Sequence, residues 1–236
     1  MPERILVIIP TYNEIENLPR MVAALELLNL GLNILVVDDG SPDATGTWVR
    51  ERLGEKPHLH LIERAGKQGL GSAYVRGFRY ALEQGYDLVF EMDADFSHDP
   101  SYIPVFLEAI RDHDLVLGSR YVNGVTVVNW PMGRLLLSWF ANRYARWVTR
   151  MPIRDLTGGF KCFRTEALRR IDLDRIHSGG YSFQIEVSYK LWKLGCRLRE
   201  IPIIFKDRTA GVSKMSGQIV KEALLLLVRL RFGGGH

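Results

Sequence analysis

Two carboxylates separated by one residue follow a short apolar run at residues 88–90. They are Asp93 and Asp95, and the apolar run predicts a buried strand that ends just before them. Ligands of open α/β sheets collect where strands end. Hard cations such as Mg²⁺ and Mn²⁺ take oxygen ligands and fill their shells with water and substrate phosphates. The pair therefore predicts a metal site, although an isolated pair is more often a solvated acidic turn.

Two other predicted strands end in residues that could contact a nucleotide. The first strand ends at Pro10, which cannot donate to a strand ladder, and leaves Tyr12 to stack on a flat ring and Glu14 to accept hydrogen bonds. The second ends in Val-Asp-Asp-Gly at 37–40, where an acid can accept from a ribose or a base edge. With the paired carboxylates, these strand ends suit a nucleotide diphosphate and its metal.

Two further features favour structural interpretations. Asp43 stands before a predicted helix, where an acid side chain is a preferred N-cap. The glycine-rich stretch 69–73 has neither the Lys-Ser/Thr ending nor the GxGxxG spacing of the phosphate-binding fingerprints. For that stretch we expect tight helix packing.

The elements that must position these residues alternate between strand and helix. Strands are predicted at 5–9, 33–37, 58–62, 88–92 and 115–118, and helices at 14–28, 43–53, 69–84 and 100–111. This rhythm predicts an α/β fold with a mostly parallel central sheet and helices on both faces. With no repeat and no low-complexity linker, 1–236 is predicted to be a single domain, divided functionally near residue 120.

Two helices are predicted in the second half, at 133–150 and about 217–231. In the first, one face carries Leu136, Phe140, Tyr144 and Trp147, whereas the other carries Arg143, Arg146 and Arg150. Aromatic residues flanked by arginines are typical of an interfacial helix, and ordinary core packing is the alternative for both helices. The charge-free run 223–228 is far shorter than the roughly 20 residues that span a bilayer.

Charge is distributed unevenly along the chain. Residues 1–110 have a balance of −8 and residues 111–236 a balance of +12, which gives the net charge of +4. An asymmetry of this size predicts an anionic partner for the second half, either a membrane surface or a nucleic acid.

Cys162 and Cys196 are isolated, so a structural zinc site or disulfide scaffold is not expected, and a reducing, intracellular location fits better. No signal peptide is visible at the start of the chain.

Eight stretches, in this order and at these spacings, carry a family resemblance. The first five are IPTYNE (9–14), VVDDGSPDAT (36–45), GLGSAY (69–74), MDADFSH (92–98) and GSRY (118–121), and they resemble family 2 glycosyltransferases of the GT-A fold. The later stretches are DLTGGF (155–160), GYSFQIE (180–186) and FKDRTAGVSK (205–214). They narrow the resemblance to dolichol-phosphate (polyprenol-phosphate) mannose synthases, over residues from about 4 to 230.

The resemblance implies a role for individual residues. The positions that hold the nucleoside of a nucleotide-sugar are matched by Pro10, Tyr12, Glu14, Val37 and Asp39. The positions of the metal and diphosphate are matched by Asp93, Ala94, Asp95 and, as a variable metal contact, Ser97. Arg120 matches a position near the reacting phosphates, and Arg208 and Lys214 match a loop that closes over the donor diphosphate. Arg134 is aligned to an arginine that binds the lipid phosphate.

The implied reaction is a metal-dependent, inverting transfer of mannose from GDP-mannose to a polyprenyl (dolichyl) monophosphate, with Mg²⁺ or Mn²⁺ as cofactor. Its product is a β-linked mannosyl phosphate. The acceptor is already anionic at neutral pH, so the absence of an obvious catalytic His or Glu is no objection. Asp155 is the carboxylate expected near the acceptor, either to orient Arg134 or another basic neighbour or to cap the following strand.

Alternatives remain at this point. A polyprenyl-phosphate glucosyltransferase that uses UDP-glucose would share the fold, because one sequence does not separate guanine from uracil recognition. A non-catalytic nucleotide-sugar-binding subunit is disfavoured because the five charged site positions are intact. Nucleic-acid binding lacks an aromatic-studded strand or recognition motif. The chain lacks the C-terminal transmembrane domain of many relatives, so we expect either peripheral binding at the cytoplasmic face of the membrane or a membrane-anchoring partner subunit.

Overall fold

The computed structural model describes residues 3–176, 178–206 and 227. The strands are β1 (Ile5–Thr11), β2 (Asn33–Asp38), β3 (Leu59–Glu63), β4 (Leu88–Glu91), β5 (Leu115–Ser119), β6 (Val127–Val128), β7 (Lys161–Arg164), β8 (Leu198–Pro202) and β9 (Phe205–Lys206). The helices are α1 (Leu18–Leu27), α2 (Thr45–Arg50), α3 (Leu70–Glu83), α4 (Ile103–Ala109), α5 (Met132–Thr149), α6 (Thr165–Leu168) and α7 (Gly180–Lys193).

Within the described residues, seven strands form one sheet in the order β3-β2-β1-β4-β7-β5-β8. Strand β7 runs antiparallel to both of its neighbours, and every other pairing in this sheet is parallel. A separate parallel pair joins β6 to β9. The predicted α/β fold with a mostly parallel sheet is therefore confirmed. Strands β7 and β8 and helix α7 were not predicted, because their polar residues obscure the apolar periodicity.

The sheet separates two apolar cores. Along β1, Leu6 and Ile8 point into the core under α3, α5, α6 and α7, whereas Val7 and Ile9 point into the core under α1 and α4. All four side chains are completely buried, and each such burial stabilises the fold by about 1.5–3 kcal/mol. Because both faces of the sheet are covered, β1 consists almost entirely of apolar residues, whereas the next two strands in the centre, β4 and β7, also carry the buried Glu91 and Lys161.

Helix α3 packs unusually close to its neighbours. A Cβ atom at Gly77 would lie 2.6 Å from Ile8 Cδ1, and one at Gly71 would lie 2.6 Å from the carbonyl oxygen of Ser178. A larger residue at either position would force α3 away from the sheet or from the segment before α7. The glycine-rich stretch therefore has the packing function expected from the sequence.

The topology brings several loops to one edge of the sheet. The parallel strands β1, β2, β4 and β5 all end there, and the antiparallel β7 begins there, since Lys161 pairs with both Glu91 and Leu117. The segment after β4, the residue after β5 and the loop before β7 therefore meet. Such an edge is where open α/β sheets bind ligands.

Helix α5 covers 132–149, close to the predicted 133–150, whereas the helix predicted at 217–231 lies outside the described residues. The described ranges include no helix with both the length and the apolar character needed to cross a bilayer.

Candidate active site

The segment after β4 folds back on itself so that its polar groups converge. Phe96 adopts a left-handed backbone with φ of 60°, which is uncommon for an aromatic residue and reverses the chain direction. The Ser97 amide then donates to Asp95 Oδ1 at 3.0 Å, and the Asp93 amide donates to His98 Nδ1 at 3.1 Å. Asp93, Asp95, Ser97 and His98 consequently line one cleft.

The donor set of this segment suits a hard divalent cation. Asp93 and Asp95 offer carboxylate oxygens and Ser97 offers a hydroxyl, which are the oxygen ligands that Mg²⁺ and Mn²⁺ prefer. Among the described residues, no cluster of three His, Cys, Asp or Glu side chains forms a closed metal cage. An ion held by these residues would therefore keep positions for water and substrate phosphate. Ala94 is buried, so it contributes shape rather than a ligand.

His98 anchors the acidic segment from beneath. Its ring is 3% exposed, stacks on Phe160 at a centroid distance of 5.1 Å, and accepts from the Asp93 amide through Nδ1. Burial lowers the pKa of His98, and this effect outweighs the nearby carboxylates. A neutral ring with Nδ1 as the acceptor is consistent with both observations. His98 was not predicted as a site residue, although it ends one of the quoted stretches.

Across the cleft, Arg120 is held by Asp155. Arg120 Nε and Nη2 donate to the two carboxylate oxygens of Asp155, each at 2.7 Å, and Nη2 also donates to Thr157 Oγ1 at 2.8 Å. Burial raises the pKa of Asp155, but the adjacent Arg120 outweighs it and the net shift is downward. Asp155 thus fixes the orientation of Arg120. Of the two roles predicted for Asp155, this is the orientation of a basic neighbour, and that neighbour is Arg120.

Aromatic rings surround the two arginines of the cleft. Arg120 Cζ lies 5.4 Å from the ring centroid of Trp130 and 5.5 Å from that of Phe205. Arg134, in the first turn of α5, stacks on the same Trp130 at 4.2 Å. These contacts hold both guanidinium groups in a partly dehydrated setting, where attraction to phosphate is stronger than in water. Trp130 was not predicted, because it lies in an irregular segment without periodicity.

A buried polar cluster lies below the acidic segment. Glu91 and Lys161 are both 0% exposed and are paired in register between β4 and β7. Lys161 Nζ donates to the carbonyl oxygen of Gln184 at 2.8 Å and to Ser188 Oγ at 3.0 Å. Burial raises the pKa of Glu91 to about 7, even though Lys161 opposes the shift, and burial lowers the pKa of Lys161 to about 8. Gln184 extends from this cluster into the wall of the cleft.

The predicted nucleoside residues lie at the neighbouring strand ends and do not line this cleft. Tyr12 is 39% exposed, and Lys67 Nζ lies 4.4 Å from the centroid of its ring. Asp39 is buried, forms an ion pair with Arg64 and accepts from the Gln68 amide at 3.1 Å. The exposed ring of Tyr12 is therefore available for stacking, whereas Asp39 already has protein partners.

The remaining nucleoside positions are largely structural. The prediction that the first strand ends at Pro10 is wrong by one residue, because β1 continues to Thr11, which pairs with Asp38. The Val37 side chain is fully buried in a core, so a ligand could reach Val37 only through its backbone. The Glu14 amide donates to Thr45 Oγ1 at 3.1 Å, and its carboxylate accepts from Asn17 Nδ2 at 2.9 Å.

Two aspartates order the loops at these strand ends. Asp38, the last residue of β2, accepts from Thr11 Oγ1 at 2.8 Å and from the Ser41 amide at 2.9 Å, which ties β1 to the loop after β2. Asp43 precedes the N-cap residue of α2 by one position and accepts from the Thr45 amide at 3.0 Å. The capping function expected for Asp43 is therefore present, displaced by one residue.

The cleft thus brings together five of the predicted residues, which are Asp93, Asp95, Ser97, Arg120 and Arg134. Arg208 and Lys214 lie outside the described residues. The contributions of Leu70, Thr157, Tyr181, Gln184 and Phe205 were not predicted. All five lie within stretches that carry the family resemblance, which are 69–74, 155–160, 180–186 and 205–214. These stretches therefore marked the cleft even where no residue had been given a role.

A model of glycosyl transferase family 2 matches residues 6–172. The chain belongs to this family. Two relatives place it more narrowly. It is 48% identical to an undecaprenyl-phosphate mannosyltransferase from Micrococcus luteus, over 96% of this chain and 93% of the relative. It is 46% identical to a polyprenol monophosphomannose synthase from Mycolicibacterium smegmatis, over 94% and 84%. The resemblance inferred from the quoted stretches is confirmed.

Solved structures share the fold of this glycosyl transferase. A glucosyl-3-phosphoglycerate synthase from Mycobacterium tuberculosis, in complex with Mn²⁺, UDP and phosphoglyceric acid, gives a TM-score of 0.72 at 16% identity, over 98% of this chain and 79% of that one. A mannosyltransferase from Pyrobaculum calidifontis, in complex with GDP-mannose and Mn²⁺, gives 0.66 at 19% identity, over 100% and 67%. The predicted glycosyltransferase fold is confirmed.

Proposed function

We propose that this glycosyl transferase moves mannose from GDP-mannose to a polyprenyl monophosphate and yields a β-linked mannosyl phosphate. The observation that carries the proposal is the composition of the cleft, where Asp93 and Asp95 face two ordered arginines, Arg120 and Arg134. Such a cleft can hold a diphosphate with its cation on one side and a second phosphate on the other. The names of the two relatives support a polyprenyl phosphate acceptor and mannose as the sugar.

On the donor side, Asp93 and Asp95 would hold Mg²⁺ or Mn²⁺, with Ser97 as an additional oxygen ligand. When bound, the ion supplies charge neutralisation for the diphosphate that leaves with the nucleoside. Mn²⁺ accompanies the nucleotide in both structural relatives, which supports a divalent cofactor. Tyr12 is exposed for stacking on the base, and Asp39 lies at the adjacent strand end. Arg208 and Lys214 remain predicted donor contacts.

On the acceptor side, Arg134 and Arg120 would bind the lipid phosphate and orient one of its oxygens toward the sugar. The acceptor attacks as an anion, so the residues need only position it and stabilise charge on the leaving group. The bidentate contact with Asp155 prevents Arg120 from changing direction during the reaction. Direct attack opposite the leaving diphosphate inverts the anomeric centre.

We propose further that α5 docks on the membrane that contains the acceptor. The side of the helix that faces the protein is small or polar, with Ser138, Asn142, Ala145, Val148 and Thr149 buried. The large apolar side chains face outward, with Leu136 48%, Phe140 58%, Tyr144 38% and Trp147 76% exposed. This inverted distribution favours the interfacial interpretation over core packing. Exposed Arg143, Arg146 and Arg150 complement anionic lipid at about 1 kcal/mol each.

The donor is tested by equilibrium binding of GDP-mannose and UDP-glucose, measured by titration calorimetry with and without Mn²⁺. We expect Mn²⁺-dependent binding of GDP-mannose, loss of that dependence in Asp93→Asn, and no change in the control Asp112→Asn, an exposed acid elsewhere. Tighter binding of UDP-glucose would assign the donor to the glucosyltransferase alternative. Equal binding with and without the ion would remove the metal from donor recognition.

A further inference from the structure

A second cavity, of about 270 Å³, lies beside the active cleft and shares no lining residue with it. Its walls are Tyr121, Trp139, Asn142, Arg143, Arg146 and Arg154. Three guanidinium groups therefore line one small space. Such a concentration of like charge is unfavourable unless an anion or strong hydration compensates it.

The three arginines have no carboxylate partner within the described residues. Arg143 stacks at 5.4 Å from the ring centroid of Trp139, and Arg154 Nη1 donates to the carbonyl oxygen of Val122 at 2.8 Å. The nearby carboxylate of Glu200 instead accepts from the backbone amides of Arg154 and Asp155, at 2.8 and 2.9 Å. Most of the N–H donors of the three guanidinium groups therefore remain available to a ligand.

The inner wall of this cavity is rigid and is connected to the active site. Asn142 Oδ1 accepts from the Leu156 amide at 2.8 Å, and Asn142 Nδ2 donates to Thr157 Oγ1 at 3.1 Å. Thr157 also accepts from Arg120. The hydroxyl of Tyr121 donates to Ser138 Oγ at 2.8 Å. These bonds fix the cavity wall one layer away from Arg120, so the cavity is preformed.

We propose that this cavity binds the phosphate of an anionic membrane phospholipid, a molecule distinct from the lipid that accepts the sugar. Planar guanidinium forks match phosphate oxygens, and several of them together discriminate phosphate from simple negative charge. Trp139 borders both the cavity and the exposed apolar side of α5, so a bound phosphate would lie at the depth of lipid head groups. The assignment of this phosphate to a lipid depends on the proposed docking of α5 on the membrane.

The test is saturable binding of a soluble short-chain phosphatidylglycerol, followed by the change in tryptophan fluorescence, with inorganic phosphate as the second probe. We compare R143K/R146K, which keeps both charges but removes the forks, with R143Q/R146Q and with the charge-matched control R76Q/R111Q. Arg76 and Arg111 are exposed and lie on α3 and after α4, away from the cavity. We expect about tenfold weaker binding for R143K/R146K, a larger loss for R143Q/R146Q, and no change for the control.

Wild-type affinity in R143K/R146K would overturn the proposal, because it would mean that diffuse charge attracts the lipid. An equal loss in R76Q/R111Q would overturn it for the same reason. Binding of inorganic phosphate alone, without the phospholipid, would overturn the lipid assignment. Binding of GDP-mannose is measured separately, so failure of the phospholipid site leaves the test of the proposed transferase intact.

Discussion

At the scale of single residues, the geometry of the cleft depends on the pairing of Arg120 with Asp155. A bidentate contact between two buried charged groups fixes a guanidinium direction that neither group could maintain alone. Removal of only one member of such a pair is costly, because a buried charge remains without its counter-ion. We therefore expect that another positively charged residue could not replace Arg120, because its orientation depends on Asp155, which does not line the cleft.

Replacement of Asp155 by Asn should reduce both activity and stability. We expect a loss of about 3–5 kcal/mol in the free energy of unfolding, measured by urea denaturation, and a decrease in the transfer rate on the order of 10²-fold. Asp112→Asn, an exposed position, is the control and should change neither. Full activity in the Asp155→Asn protein would show that Arg120 is oriented by other contacts.

The same pair should make stability depend on pH. The folded pKa of Asp155 lies below its ordinary value, so its contribution is complete above the unfolded pKa of about 3.8 and is lost as pH falls through the folded pKa. We expect the difference in unfolding free energy between the wild type and Asp155→Asn to shrink as pH is lowered from 5 toward 3. A difference that is constant over this range would contradict the ion pair.

The sequence predicted the charged residues of the cleft but not their supports. Asp93 and Asp95 were recognisable because they directly follow an apolar strand. Trp130 and His98 were missed, since their roles depend on left-handed residues at Asn129 and Phe96 that turn the chain abruptly. No periodic pattern reports such a turn. Asn129 is of a type that is enriched in the left-handed region, but a single asparagine does not predict a turn, and Phe96 is of a type that rarely adopts this conformation.

At the scale of secondary structure elements, β7 is the least expected part of the sheet. It runs antiparallel between β4 and β5 and carries a lysine into the fully buried centre of the molecule. Lys161 can be buried there because its ammonium group donates to the Gln184 carbonyl and to Ser188, and because the buried carboxyl group of Glu91 opposes the downward shift of its pKa. A strand with such a residue does not show the apolar run on which strand prediction depends.

A double-mutant cycle on Glu91 and Lys161 tests this explanation. Lys161→Met alone removes the charge that opposes the upward pKa shift of Glu91, so the buried carboxyl group would take up a proton, and we expect the free energy of unfolding to fall by about 1–3 kcal/mol. The double variant E91Q/K161M should recover a large part of that loss, because both charges are then absent. Additive losses, measured by chemical denaturation at neutral pH, would mean that the two groups do not interact.

The outward apolar side of α5 has a prediction of its own. Phe140→Ser and Trp147→Ser together should weaken partition into phosphatidylglycerol-containing vesicles by about 100-fold, because two large rings no longer enter the bilayer. Leu27→Ser with Leu194→Ser, at residues that are 78% and 41% exposed elsewhere, is the matched control. If both pairs have the same effect in vesicle co-sedimentation, α5 is not the docking element.

At the scale of the whole molecule, one sheet edge gathers residues from both parts of the chain. The acidic first part supplies Asp93 and Asp95, whereas the basic second part supplies Arg120, Arg134 and the three arginines of the second cavity. The charge asymmetry in the sequence thus corresponds to a division between the residues proposed to bind a cation and those proposed to bind phosphate. The parallel architecture was predictable from alternating elements, and the single domain with a division near residue 120 stays a prediction.

The proposed reaction of the whole molecule is the transfer of mannose to a lipid phosphate, which depends on the carboxylates of the cleft. It is tested most directly by incubating the wild type and Asp95→Asn with polyprenyl phosphate, Mn²⁺ and labelled GDP-mannose or UDP-glucose, and by counting label in the organic phase. We expect label from GDP-mannose with the wild type and at least about 10²-fold less with Asp95→Asn. Label from UDP-glucose alone, or undiminished transfer by Asp95→Asn, would contradict it.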